Sequence, residues 1–152
     1  MLNIMTGDID HPQVIALLKF HFDTNIRVTP KGSAHVFDLS RLKQPDVMFW
    51  SVWEDQKLLG TGALKLMGED RGEVKSMHTL LSARRKGVAK FVLQHILATA
   101  REKQLKQLFL ETGSFVYFAP ARALYAGHGF IECEPFGDYK PDRNSTFMTL
   151  EL

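Results

Sequence analysis

The sequence predicts an α+β domain of mixed α/β layers, and two patterns carry that expectation. Apolar runs at Met48–Trp53 and Lys57–Leu66, joined by Glu54-Asp55-Gln56, read as an antiparallel hairpin, and Glu73–Leu80 adds a third strand after the Gly68–Gly72 turn. From Arg84 the period changes: Val88, Val92, Leu93, Ile96, Leu97 and Ala100 fall on one helical face. An antiparallel meander ahead of a crossover helix excludes a doubly wound parallel sheet.

The other elements follow in order. Leu2–Thr6 reads as an opening strand, after which Asp10 is expected to cap a helix with Pro12 just inside and Val14, Ile15, Leu17, Leu18 and Phe22 as its apolar stripe. Residues 23–47 are polar and mixed, with a short helix expected around Ala34–Leu42. Arg101-Glu102-Lys103 close the crossover helix, Leu105–Glu111 is a strand, and Pro120 opens a helix that stops at Gly127–Gly129. Ile131–Glu134 and Phe147–Leu152 are closing strands around a loop rich in Pro, Gly, Asp and Asn.

Composition bounds the function classes. The 152 residues carry 19 Lys+Arg against 17 Asp+Glu, with 45% hydrophobic residues. That is one domain, 1–152, large enough to bury roughly two-thirds of its unfolded surface. The balance excludes an acidic tail, a disordered chain and a histone-like neutraliser of nucleic acid. One cysteine, Cys133, cannot pair within the chain. The first residues lack a basic segment followed by an apolar run, and no stretch approaches the ~18 apolar residues that span a bilayer. These features point to a cytoplasmic protein with no membrane partner.

The placement of the cations is more informative than their surplus. Arg84, Arg85, Lys86 and Lys90 gather at the start of the crossover helix, interleaved with Gly87 and Ala89. A helix start is the positive end of the macrodipole, so each cation there costs a few tenths of a kcal/mol. An external polyanion would reverse that sign, with bare N–H groups binding phosphate oxygens and Gly87 allowing close backbone approach. A solvated basic helix start is the alternative. Neither a P-loop nor a dinucleotide-binding glycine fingerprint is present.

Arg84-Arg85-Lys86-Gly87-Val88-Ala89 follows a strand and opens a helix, and Leu124-Tyr125-Ala126-Gly127-His128-Gly129-Phe130 ends the next helix forty residues on. Together these segments resemble the GNAT superfamily of acetyl-CoA-dependent N-acetyltransferases. Its pyrophosphate loop reads Arg/Gln-x-x-Gly-x-Gly/Ala, and its later segment reads Leu-Tyr-x-x-x-Gly-Phe. The stretches Glu73–His78, Leu110–Gly113, Pro135–Tyr139 and Ser145–Met148 resemble a small bacterial subgroup without a well-established substrate. The resemblance implies a central, mostly antiparallel mixed sheet flanked by helices, and acetyl transfer from acetyl-CoA to a primary amine, here expected on a small molecule. A peptide or protein amine is the neighbouring alternative, and a non-catalytic acyl-CoA sensor is the rival class. By analogy with relatives a homodimer is a candidate assembly.

The resemblance also implies roles. Amides from Arg85 to Ala89 would hold the pyrophosphate, with Arg84, Arg85, Lys86 and Lys90 side chains beside them and Val88 in the loop. Met77, His78 and Thr79 would pair their backbone with the pantetheine arm. Tyr125 aligns with the tyrosine that protonates the departing thiolate; the alternative is an aromatic packing against Phe130. Glu73, eleven residues before Arg84, matches the base glutamate of histone-type relatives, or is a strand glutamate paired with a lysine. His78 is the second candidate base, or a core histidine. Simple alternation sets it on the opposite face from Glu73 unless a bulge re-aims one of them. Ser33, His35, Arg41 and Tyr139 are candidate acceptor contacts, and Glu111 is left without a role. Phe118 stands where many relatives carry an asparagine. Six histidines scattered singly and no zinc spacing give no metal site, and the local basic cluster lacks the interleaved aromatics of a nucleic-acid module.

Overall fold

A computed structural model of the chain describes residues 1–28 and 38–152, with side chains 26–28 left aside. Seven strands form one sheet: β1 (Asn3–Thr6), β2 (Val47–Glu54), β3 (Lys57–Leu66), β4 (Arg71–Thr79), β5 (Gln107–Gly113), β6 (Ile131–Glu132) and β7 (Ser145–Glu151). Their order across the sheet is β1-β2-β3-β4-β5-β7-β6. Every pairing is antiparallel except β4 with β5. Three helices accompany them, α1 (Pro12–Val28), α2 (Val88–Glu102) and α3 (Ala119–Gly127). This is the mixed sheet flanked by helices that the sequence predicts.

The two faces are covered by different helices. Val88, Val92, Leu93, Ile96, Leu97 and Ala100 of α2 pack on Leu64, Val74, Leu108, Leu110 and Met148. Val14, Leu17 and Leu18 of α1 pack on Phe49, Trp53, Leu58 and Ala63. Fully burying one such side chain stabilises by about 1.5–3 kcal/mol, against a few tenths for each cation at a helix start. The docking of α2 therefore tolerates its basic first turn easily. A third cluster, Phe109, Phe136 and Phe147, extends the α1 side of the sheet, with Phe136 supplied by the loop between β6 and β7.

Two local expectations change. The α1 cap is His11, whose Nδ1 accepts the Gln13 amide at 3.1 Å. Asp10 instead pairs with Lys43 at 2.7 Å. The helix expected around Ala34–Leu42 lies partly outside the described residues, and within them Ser40–Lys43 forms a 3-10 turn.

The feature that positions the site is a bulge in β4. Thr61 faces His78 but Ala63 faces Lys75, so Ser76 and Met77 together oppose Gly62. Ser76 adopts φ +54, and its carbonyl accepts the Thr61 hydroxyl at 2.8 Å. The extra residue inverts alternation. Val74 and Met77 both face α2, while Glu73, Lys75 and His78 share the opposite face with Thr61 and Ala63. His78 is thus on the same side as Glu73.

Gly62 is required by crowding: a Cβ there would collide with Val92 Cγ1 and meet Ile96 Cδ1 and Met77 Sδ at 3.1 Å. Replacing Gly62 by Ala is expected to destabilise the fold by about 1–3 kcal/mol through this overpacking. Gly127→Ala, which meets open space in a helix, is expected to leave stability unchanged or raised by up to about 1 kcal/mol. Urea unfolding of the two variants checks both signs.

Candidate active site

The segment before α2 is built to leave its amides free. After the 3-10 turn Leu81–Ala83, Arg84 is extended at φ −63, ψ 147. Arg85 and Gly87 then take left-handed conformations at φ +68 and φ +79. Left-handed residues on either side of Lys86 turn successive N–H groups toward one side, the geometry of an anion-binding nest. Among the described residues no amide from Arg85 to Lys90 has a hydrogen-bond acceptor, and the first ladder bond runs from Phe91 N to Gly87 O at 3.0 Å. Gly87 carries no side-chain cap, and a Cβ on it would meet nothing within 4 Å. Its glycine answers to backbone conformation rather than to space. The side chains of Arg84, Arg85, Lys86 and Lys90 are exposed and Val88 is buried in the core. Arg84 Nη2 lies 3.5 Å from the Tyr117 hydroxyl.

Beside this loop the sheet opens. β4 and β5 pair only at Arg71–Gln107, Gly72–Leu108 and Glu73–Phe109. Beyond that point, residues 74–79 and 110–113 part, leaving a wedge whose floor is Glu73 and Phe109. The Met77 side chain packs toward α2. The Thr79 carbonyl accepts His21 Nε2 at 3.4 Å. The His78 ring stacks on His21, with centroids 4.3 Å apart and planes inclined by 18°. Burial, then the neighbouring His21, lowers the His78 imidazole to about 3. His21 is lowered too, by burial first and also by the Arg84 charge, against the raising effect of Thr79. A stacked pair of neutral rings is compatible with this setting; two cations would repel.

Two carboxylates flank the wedge. Glu73 is buried, at 5% exposure, and its Oε2 accepts the Tyr139 hydroxyl at 2.7 Å and lies 3.5 Å from Lys75 Nζ. Glu111 Oε2 accepts the Ser145 hydroxyl at 2.7 Å. Burial raises the Glu111 carboxyl above its usual range; the Ser145 bond and Lys75 pull it down, while Glu73 and Asp142 push it up. Among the described residues the Oε1 atom of each carboxylate has no protein partner. No buried side-chain oxygen there lacks one, so both Oε1 atoms are open to solvent.

Tyr125 belongs to the core cluster on the α2 side of the sheet. It is buried against Phe130, rings 5.8 Å apart and inclined by 64°, so the packing expectation is met. Burial, then the Glu111 charge, raises its phenol well above the ordinary value. The Tyr125 hydroxyl has no hydrogen-bond partner among the described residues. The Glu111 charge thus acts on Tyr125.

The expected acceptor contacts divide. Tyr139 is drawn onto Glu73, and its phenol is raised by burial first, then by Glu73, with Arg41 lowering it. Arg41, exposed on its 3-10 turn, thus sits within electrical reach of the pocket. Ser33 and His35 lie outside the described residues. His21, Ser145 and Arg122 were not expected. Arg122 Nη1 donates to Gly113 O at 2.6 Å and Phe115 O at 2.9 Å, holding the segment that follows β5. The Phe118 ring covers Gly113 so closely that no side chain fits there. No group of three metal-ligating side chains occurs among the described residues, and no helix there is long and apolar enough to cross a membrane.

The histidine stack yields a pH dependence with a definite sign. Both imidazoles are lowered below the unfolded value of about 6.5, so the unfolded chain binds more protons as the medium acidifies. Their contribution is complete above about pH 6.5 and is lost as pH falls toward the folded values. His78→Phe keeps a ring on His21 without the proton site. Its unfolding free energy, measured in urea between about pH 7 and about pH 4, is expected to fall less steeply than that of the unaltered chain.

A family model described as the acetyltransferase (GNAT) family matches residues 14–130. The uncharacterized N-acetyltransferase YedL of Escherichia coli K12 is 45% identical over 152 residues, spanning 100% of this chain and 96% of YedL. The uncharacterized N-acetyltransferase YsnE of Bacillus subtilis 168 is 46% identical over 151 residues, spanning 99% and 100%. A solved structure of a candidate acyl-CoA N-acyltransferase from Klebsiella pneumoniae superposes with TM-score 0.84 at 27% identity, covering 100% of this chain and 98% of that one. The match runs from α1 through the open wedge to the Tyr125–Phe130 segment, and on it the chain belongs to the acetyltransferase (GNAT) family.

Proposed function

We propose that the chain, as a single domain over 1–152, transfers the acetyl group of acetyl-CoA to a primary amine of a small molecule, by direct attack on the thioester. The observation that carries this reading is one juxtaposition. A run of unpaired amides with four exposed cations opens α2, two half-committed carboxylates flank the nearby opening between β4 and β5, and one of them, Glu111, acts on the uncommitted Tyr125 phenol. The amides of Arg85–Ala89 fit the pyrophosphate, with Arg84, Arg85, Lys86 and Lys90 lowering its charge. The unpaired backbone of β4 around Met77, His78 and Thr79 is available to the pantetheine arm on its β5 side. An amide there would polarise the thioester carbonyl.

Tyr125 holds its proton through the neutral range and gives it to the departing thiolate. Glu73 receives the incoming ammonium. His78 is assigned no proton transfer, because an imidazole lowered to about 3 is a poor base near neutrality. The small acceptor is supported by the loop between β6 and β7, whose Tyr139 reaches Glu73 while Ser145 at the start of β7 reaches Glu111, narrowing the approach. Catalysis rather than sensing is supported by Tyr125, since a passive binder of acyl-CoA has no use for a poised phenol.

Thiol release from acetyl-CoA with a panel of primary amines tests the reading, with acetyl-CoA affinity measured in parallel by calorimetry. Tyr125→Phe is expected to lower turnover about 100-fold with affinity and unfolding midpoint unchanged; equal turnover would remove Tyr125 from the chemistry. Gly87→Val, strained at φ +79, is expected to weaken acetyl-CoA binding at least about tenfold. Tight binding with no turnover on any amine would favour the sensor.

A further inference from the structure

Resting on the acetyl-transfer reading above, we infer that the acceptor is an α-amino acid, its carboxylate bound by Lys75 and Arg41 while its ammonium sits between Glu73 and Glu111. The opening between β4 and β5 carries charges of both signs on one face. Glu73 lies at its floor, in the last pair with Phe109. Lys75 on β4 and Glu111 on β5 each stand two residues beyond that pair. Lys75 acts on the Glu111 carboxyl across the gap, yet the two form no ion pair among the described residues.

Lys75 is the cation that the fold leaves half-used. Its ammonium lies 3.5 Å from Glu73 Oε2 with the side chain 28% exposed, and it donates no hydrogen bond among the described residues. An ammonium offers three donors, and the residue opposite Lys75 on β3 is Ala63, which has no side-chain acceptor. The Tyr139 hydroxyl holds Glu73 Oε2 at 2.7 Å and leaves Oε1 open. The Lys75–Glu73 separation is close to that between the ammonium nitrogen and the carboxylate oxygens within an α-amino acid. Such a zwitterion lies head to tail against the pair, each charge meeting its opposite. A plain amine would meet the carboxylates alone and leave Lys75 unanswered.

A second cation stands on the same side. Arg41 is exposed on the 3-10 turn Ser40–Lys43. Leu39 and Leu42 pack that turn on the cluster containing Ala63, the β3 partner of Lys75. Arg41 has no ion pair or hydrogen bond among the described residues, and its charge reaches Tyr139, which holds Glu73. A guanidinium takes a carboxylate through two parallel hydrogen bonds. Lys65 stands opposite Glu73 on β3, so the β3 side of the opening is basic. Glu111 and Asp142, whose charge also reaches Glu111, make the β5–β7 side acidic. The carboxylate of the acceptor is a handle and not a reactant. The amine nitrogen forms the C–N bond as the thioester C–S bond breaks, and an N-acetyl amino acid, free thiol and one proton are the products.

Thiol release at saturating acetyl-CoA compares each common primary-amine amino acid with the amine it yields on loss of carbon dioxide, leucine with isoamylamine and phenylalanine with phenethylamine among them. The best amino acid is expected to exceed its decarboxylated amine at least about tenfold in kcat/KM, through KM more than kcat. Lys75→Met, which keeps the apolar stem, is expected to erase that preference, and Lys75→Arg to retain it. Arg41→Gln is expected to reduce it by a smaller factor; should Lys75→Met fail to fold, this variant on an exposed turn carries the same readout. An unaltered enzyme that uses the decarboxylated amines as well as the amino acids would overturn the inference and leave acetyl transfer standing. So would a preference that survives the charge-removing substitutions. Acetyl-CoA binding with no turnover on either set would bring down the acceptor reading itself, a failure seen without any variant.

Discussion

The site depends on one constraint: β4 and β5 are parallel neighbours that pair for three residues and then part. Two strands that stayed paired would close their backbones on each other and leave no place for an extended ligand. The bulge at Ser76–Met77 lies on the parted stretch of β4, where an extra residue bends and twists the strand that carries it. The bulge in turn persists because Gly62 lets Met77, Val92 and Ile96 crowd against β3 on the α2 side. Core packing on one face thus sets an opening whose chemistry is displayed on the other.

The same bulge decides which side chains meet. Without it, His78 would point toward α2 and Met77 toward α1, and the apolar floor beneath α2 would be broken by an imidazole. With it, Met77 completes that floor and His78 stacks under α1 on His21. The stack lets α1 close over the end of β4 without a charge. A buried imidazolium there would carry a desolvation cost, and the Arg84 cation adds to it.

What was legible in the sequence is what depends on local chemistry. The apolar period of α2 and the hairpin are each written within a few residues, and each stands as read, whereas Gly87, read for close backbone approach, is set by its left-handed φ. The pairing Tyr139–Glu73 joins residues 66 apart and Ser145–Glu111 joins residues 34 apart. Neither has a local signature, because the fold alone brings the loop onto the wedge. Parity at His78 was illegible for a similar reason: a bulge depends on what packs opposite it. The helix cap failed on competition, since Asp10 and His11 are both able to start α1 and the distant Lys43 draws Asp10 away. Phe118 looked like a missing polar contact, yet it packs on Gly113 while Arg122, four residues later, binds the Gly113 and Phe115 carbonyls.

The two carboxylates raise a question of stability that the loop before β7 answers. Moving an ion from water into a protein interior carries an effective penalty of several kcal/mol unless hydrogen bonds and countercharges replace hydration. A hydrogen bond to a charged group returns about 1.5–3 kcal/mol. Glu73, the more buried, has a phenol and an ammonium on one oxygen. Glu111, less buried, has only a serine and is the carboxylate whose charge is held less firmly. Tyr139 and Ser145 thus support two neighbouring glutamates unequally, and both are carried onto the opening by the segment that leads into β7.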